Sequence, residues 1–168
     1  KRELYVHHIL LGYKGCALPS SFSKTKEEVF IDASLYYKEL SSFFLTKSLN
    51  EKLVLFKNKA KTLSQDPSAV DNEGLLGWVY WGRSVDDFQV PVFSLKAGEL
   101  STPILTPYGY HLVFVEKERP SNYFYYDPLF FSFNKTISND IIQQLATSFE
   151  FYDGDYDDFI SSGLIGCT

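Results

Sequence analysis

A hydrophobic run with one histidine on each of its two alternating faces opens the chain. Residues Glu3–Leu11 place Leu4, Val6, His8 and Leu10 on one face and Tyr5, His7, Ile9 and Leu11 on the other, which predicts a short strand. Residues 12–23, with Gly, Pro and Ser, read as a loop. A helical period then takes over, with Val29, Ala33, Tyr36/Tyr37 and Leu40 on one stripe. Ser23 or Thr25 can cap this helix, Glu27 and Glu28 fall in its first turn, where the helix dipole favours acids, and it should run to about Lys47. Asn50 reads as the cap of a second helix, Glu51–Leu63, burying Leu53, Phe56, Ala60 and Leu63. Residues 64–77 have loop composition, Trp78–Trp81 reads as a strand and Val85–Leu95 as a short helix. Pro91 is tolerated only near a helix's first turn, which argues for a later start to that helix. Leu100–Leu105, a Pro107-Tyr108-Gly109 turn and Tyr110–Lys117 predict a closing hairpin. The order β-α-α-loop-β-α-β-β is an α+β arrangement.

Composition divides this picture in two. The chain has 168 residues, enough for one domain and a remainder, and its 45% hydrophobic and 22% charged residues are those of an ordinary globular protein. No apolar run approaches the roughly 18–20 residues of a membrane-spanning helix. The net charge of -5 argues against a nucleic-acid binder that neutralises phosphates. Residues 1–119 hold 15 Lys/Arg and 14 Asp/Glu, whereas residues 120–168 hold one Lys, seven acids and 12 of the 29 aromatics. We therefore expect a compact unit, 1–119, and an aromatic, acidic and partly helical extension, 120–168, with Pro120 at the seam. A disordered acidic tail would be poor in Phe and Tyr, so the extension is expected to pack on something.

Within the extension, Tyr123–Phe133 is an aromatic run, Ile137, Ile141, Leu145 and Phe149 stand at helical spacing over Asn134–Ser148 and beyond, and Asp153–Ile160 is acidic. The stretch Asp153-Gly154-Asp155-Tyr156-Asp157-Asp158 has the beginnings of a calcium loop, but Asp158 replaces the turn glycine and Leu164 the closing glutamate. Asn134-Lys135-Thr136 is a glycosylation sequon, meaningful only in a eukaryotic secretory setting. The absence of Met points to a piece of a longer chain. Cys16 and Cys167 belong to no metal or redox motif, and form either a disulfide or two unrelated thiols.

The chemistry gathers around histidine. His8 lies in the first strand and His111 in the last, and strands from the two ends of one domain can be neighbours, with the acid-bearing loop 64–71 able to reach them. His7-His8-Ile9-Leu10 resembles the first-strand motif of the parvulin-type peptidyl-prolyl isomerases. Ser64, Asp66-Pro67-Ser68-Ala69 and Gly74, Leu76-Gly77-Trp78 resemble that family's central loop and second strand. A series follows in family order: Phe88, Val92-Phe93, Leu95, Gly98-Glu99, Ser101, Pro103, Thr106, Tyr108-Gly109-Tyr110-His111 and Val113. The likeness covers residues 4 to about 118. It implies a four-stranded, mainly antiparallel sheet surrounded by four helices, the third being a short one in the loop after Ser64.

By this resemblance His8 and His111 are the paired histidines beneath the catalytic site, Asp66 stands beside the substrate carbonyl and Thr106 orients a histidine. Asp66 acts through its charge or as a partner of His8; alone, it would read as a loop residue capping a turn ahead of Pro67. Thr106 alone would read as an ordinary strand threonine. Phe88 and Tyr108 match the aromatics of the proline pocket. Two positions depart from the family: Ser84, beside Val85, replaces Met or Leu, and Val79 replaces Phe, which shrinks the apolar slot unless Trp78 or Trp81 compensates.

Rotation about an X–Pro amide needs no nucleophile, metal or cofactor, only tighter binding of the twisted amide. Lys14 and Lys24 do not make the basic cluster of phosphate-directed members. The resemblance implies a peptidyl-prolyl isomerase acting on unfolded or proline-containing polypeptide clients, and an extracytoplasmic (periplasmic or secreted) foldase setting. The alternative is a catalytically weak or inactive peptide-binding or chaperone module on the same scaffold.

Overall fold

The computed structural model describes residues 2–121. The elements run β1 (Arg2–Leu11), α1 (Lys26–Phe44), α2 (Leu49–Leu63), α3 (Ala69–Asn72), β2 (Leu75–Tyr80), α4 (Asp86–Val92), β3 (Ile104–Thr106) and β4 (Gly109–Pro120). The four strands form one sheet in the order β2-β1-β4-β3, with every neighbouring pair antiparallel. The expected α+β sheet is present, and the first and last strands lie side by side at its centre.

The period-2 pattern of β1 divides the core. Ile9 and Leu11 join Leu112 and Phe114 of β4 against Val29, Ala33, Leu40 and Phe44 of α1 and Phe56 and Ala60 of α2. Leu4 and Val6 join Val113 and Val115 against Phe88 and Val92 of α4 and Ile104 of β3. His8 and His111 share this second face, because each is an even number of residues from its neighbours there. His7 belongs to the other face, where its ring meets Tyr5 edge-on with centroids 6.2 Å apart.

Both long helices begin with a capping box. Thr25 accepts from the Glu28 N–H while the Glu28 carboxylate accepts from the Thr25 N–H, and Ser48 and Glu51 repeat the exchange. Ser48, not Asn50, therefore caps α2: the Ser-x-x-Glu reciprocity satisfies two terminal donors, which Asn50 could not match. This early start also stops α1 at Phe44 instead of Lys47, since Thr46–Ser48 must turn the chain into the next cap.

Three other boundaries move. β2 begins at Leu75 and ends at Tyr80, so Trp81 lies outside it. Helix α4 starts at Asp86, with Val85 as N-cap, and Pro91 occupies its last turn instead of its first. Pro91 has no N–H to donate to the Asp87 carbonyl, and α4 ends one residue later, at Val92. Leu100–Pro103 is not a ladder strand. Leu100 makes only an isolated bridge to Phe114, and Ser101 bonds Val113 through its N–H and its Oγ, while Pro103 has no N–H to offer.

Two glycines are required by close approach. Gly74, at φ 74°, has space for no side chain: a Cβ would stand 2.4 Å from the His8 carbonyl oxygen. Its own carbonyl accepts the His8 N–H at 2.7 Å. Gly109, at φ 143°, would put a Cβ 2.4 Å from the Leu11 carbonyl oxygen at the start of β4. The loop after β1 is fastened to the β3–β4 turn by the Ala17 N–H donating to the Pro107 carbonyl at 2.8 Å. Among the described residues no helix is long and apolar enough to cross a membrane. The aromatic run, the expected helix 134–148, the acidic stretch, the sequon and Cys167 lie outside the described residues.

Candidate functional site

In the β1–β4 ladder Leu10 stands opposite His111 and His8 opposite Val113, so the two histidines are diagonal neighbours on one face. Their Nδ1 atoms are 3.2 Å apart and their rings stack with centroids at 5.4 Å and 26° between planes. His8 Nε2 lies 2.8 Å from Asp66 Oδ2, and His111 Nε2 lies 2.8 Å from Thr106 Oγ1. The Tyr108 N–H donates to that same hydroxyl at 3.2 Å. Four side chains from β1, β3, β4 and the loop after α2 thus form one unbroken line, Asp66–His8–His111–Thr106. His8, Thr106 and His111 are all buried.

Electrostatics orders the protons along this line. The hydrogen bond from His8, reinforced by the Ser68 N–H and O–H, holds the Asp66 carboxyl well below the usual carboxylate range despite its partial burial. Asp66 is therefore an acceptor only, and His8 Nε2 carries a hydrogen. Burial first, and His8 second, push His111 down to about 3, against a weaker opposing pull from Asp66, so this ring is uncharged near neutrality. Asp66 and the uncharged His111 fix the two ends of this line, and the Thr106 hydroxyl also reaches the Gly109 carbonyl at 3.4 Å. Tyr108 N–H donates to Thr106 Oγ1, which pairs with His111 Nε2; one hydrogen is shared between His111 Nδ1 and His8 Nδ1, and His8 Nε2–H donates to Asp66.

Asp66 does both things its sequence context allowed. Oδ2 takes His8, while Oδ1 accepts from the Ser68 N–H at 2.9 Å and from the Ser68 hydroxyl at 2.8 Å, capping the turn. The loop is tied to β1 by Ser64 and Gln65: the Leu10 N–H donates to Ser64 Oγ and the Gln65 N–H to the Leu10 carbonyl. Thr106 is likewise both a strand residue and the partner of His111.

Phe88 is buried and meets His111 edge-on, centroids 5.2 Å apart at 71°, so the expected pocket aromatic touches the histidine line. Tyr108 is half-exposed on the β3–β4 turn. Val79, opposite Leu4 on β2, packs against the cluster that contains Phe88. Val85 is half-exposed and Ser84 partly buried in the segment leading into α4, and neither is brought onto the histidines. Trp78 cannot fill the slot: it stands opposite Tyr5, packs on that ring at 5.1 Å and faces the other side of the sheet. Trp81 packs edge-on against Phe93 at 5.5 Å. His7 is separate too, with Nε2 2.9 Å from Glu116. Single-residue reading missed Ser68, Gly74 and Gln89. The Asp-x-Ser spacing at 66–68 is the available signal for the first; Gly74 depends on its close approach to distant β1, and Gln89 on partners three and seven residues away that no pattern marks.

Comparison with known proteins agrees with this geometry. A family model described as Rotamase, PPIC-type PPIase domain, matches residues 8–117. The foldase protein PrsA of Geobacillus kaustophilus is 42% identical over 69 residues, which are 40% of this chain and 25% of that protein. The chaperone SurA of Chromobacterium violaceum is 42% identical over 64 residues, 38% of this chain and 15% of that one. The chain thus covers a quarter or less of the length of these relatives. Among solved structures, the PPIase domain of TbPar42 superposes with a TM-score of 0.56 and 25% identity, covering 67% of this chain and 98% of that one. The peptidyl-prolyl isomerase ESS1 from Candida albicans gives a TM-score of 0.54 at 24% identity, covering 67% and 62%, a likeness of fold. The chain belongs to the PPIC-type peptidyl-prolyl cis–trans isomerase (parvulin, or rotamase) family.

Proposed function

We propose that this domain isomerises X–Pro bonds in unfolded polypeptide clients, with His8, Asp66, Thr106 and His111 as its catalytic frame and Phe88, Tyr108, Val79, Ser84 and Val85 bordering the proline slot. The observation that carries the reading is the unbroken Asp66–His8–His111–Thr106 line with Phe88 packed on the edge of His111. A barrier of about 18–20 kcal/mol arises from C–N double-bond character, and twisting the amide removes that conjugation. A site lowers the barrier when its groups suit the twisted amide better than either planar form. Fixed ring planes do this without reorganising: each histidine is held at both nitrogens, and Asp66, with both oxygens engaged, holds His8 while keeping its negative charge at the site. Phe88 supplies the apolar wall for the proline ring.

The smaller Val79 and Ser84 favour a second reading, a peptide-binding module with little turnover. One assay separates the two. Isomerisation of Ala-Xaa-Pro-Phe peptides is followed for the wild-type chain and for a His111→Ala, Asp66→Ala double variant. A wild-type rate well above that of the variant supports the enzyme; equal rates leave the binding module.

Residues 1–119 are taken as the isomerase unit and 120–168 as an extension, a division supported by the charge asymmetry. Likeness to the foldase PrsA and the chaperone SurA supports polypeptide clients. An extracytoplasmic setting, and a longer parent chain, belong to the same reading. Cell fractionation with an antibody to the domain tests both the compartment and the size.

A further inference from the structure

We propose that Gln89 is a positioning residue that sets the proline slot by clamping the β2–α4 segment onto the helix that carries Phe88. This rests on the isomerase reading above. Gln89 follows Phe88 in α4, yet its amide is buried, an unusual place for a glutamine on a seven-residue helix. Both ends of the amide are used. Oε1 accepts the Gly82 N–H at 2.8 Å, and Nε2 donates to Asp86 Oδ1 at 2.6 Å. One side chain therefore ties the beginning of the segment, at Gly82, to its end, at the first residue of α4.

Between those two points lie Ser84, a slot-wall position at which the chain departs from its family, and its neighbour Val85. Their side chains are small and partly or half exposed, so packing alone gives this wall little rigidity. The Gln89 amide supplies what the missing bulk does not. A buried amide left with one unpaired end is costly, so the clamp closes as a unit or not at all. Because Gln89 holds a wall and not a group that follows amide twisting, its loss weakens binding of planar and twisted substrate alike. The signature of such uniform binding is a raised KM at constant kcat.

The test uses the 168-residue chain and a proline-containing peptide substrate. Gln89→Ala is expected to raise KM about tenfold, the loss of roughly one buried hydrogen bond, with kcat within about twofold. Gln89→Glu keeps an acceptor for Gly82 but sets a carboxylate against Asp86, and should raise KM similarly. Adding Asp86→Asn restores a donor across that contact, so the Asp86→Asn, Gln89→Glu pair should return KM towards wild type. A merely structural role would lower thermal stability in all variants without this pattern of loss and rescue. An unchanged KM in folded Gln89→Ala, or no rescue by the pair, overturns the proposal. A wild-type chain without turnover overturns the isomerase reading instead. Exchange of the Gly82 amide then decides the clamp by itself: protection in wild type that Gln89→Ala removes supports it, and equal exchange in both overturns it.

Discussion

Acidification should destabilise this domain through His111 before it reaches the lowered Asp66 carboxyl. The ring titrates near 6.5 when exposed but only near 3 in its buried place against His8. Its folded pKa is the lower one, so the unfolded chain binds more protons anywhere between those values. The associated stability is complete above pH 6.5 and is lost as pH falls towards 3. From pH 7.5 to 4.5 the unfolded ring gains its proton over about two pH units that the folded ring does not share, worth about 3 kcal/mol. Most lowered carboxyls, Asp66 and Glu116 among them, contribute mainly below this window. Urea unfolding of wild type and His111→Gln at the two pH values measures the difference, because Gln cannot ionise and Asp66 keeps His8 as its partner. Wild type should lose about 3 kcal/mol more than the variant. Ring ¹⁵N shifts should also show His111 neutral at pH 5. Equal pH dependence in the two proteins, or a charged His111 at pH 5, would refute the reasoning.

Other perturbations reach the same framework from different sides. Thr106→Val keeps the shape but removes the hydroxyl that pairs with His111 and accepts from Tyr108; kcat/KM should fall roughly tenfold, in stopped-flow isomerisation, with a stability cost of about 1–3 kcal/mol. Gly74→Ala forces a Cβ to within 2.4 Å of the His8 carbonyl at a left-handed φ, and should cost about 2 kcal/mol or more in urea unfolding while displacing His8. Phe56→Ala removes a fully buried ring that packs at 5.6 Å on Phe114, on the face away from the histidines; it should cost about 3–5 kcal/mol yet leave kcat of the remaining folded protein near wild type.

What could be read from residues alone follows the range of the forces involved. The alternation in β1 and the stripe in α1 are local patterns, and both appear where expected. The Asn50 assignment failed although the signal was local, because a single capping residue was weighed without its partner three positions on: Ser48 and Glu51 act together. His8 and His111 could be brought together only through the resemblance and the rule that terminal strands can pair, since 103 residues separate them. Gln89 was invisible, for its two partners are a backbone N–H seven residues earlier and a neighbouring aspartate whose side chain has many other uses. The Trp78 alternative failed on parity: one residue's offset from Val79 sends it to the opposite face.

The central pairing of β1 with β4 also bears on when the site can come into being. Loop closure across some hundred residues must precede the contact between the two histidines, a non-local step that helix formation does not share. During synthesis from the N-terminus, β1 is exposed with one of its two neighbours missing until residues 109–120 have emerged. His8, Asp66 and Phe88 are all made by then, but His111, which joins them, is not. Activity should therefore appear in one step as the last strand docks, and a nascent chain ending before Gly109 should have none.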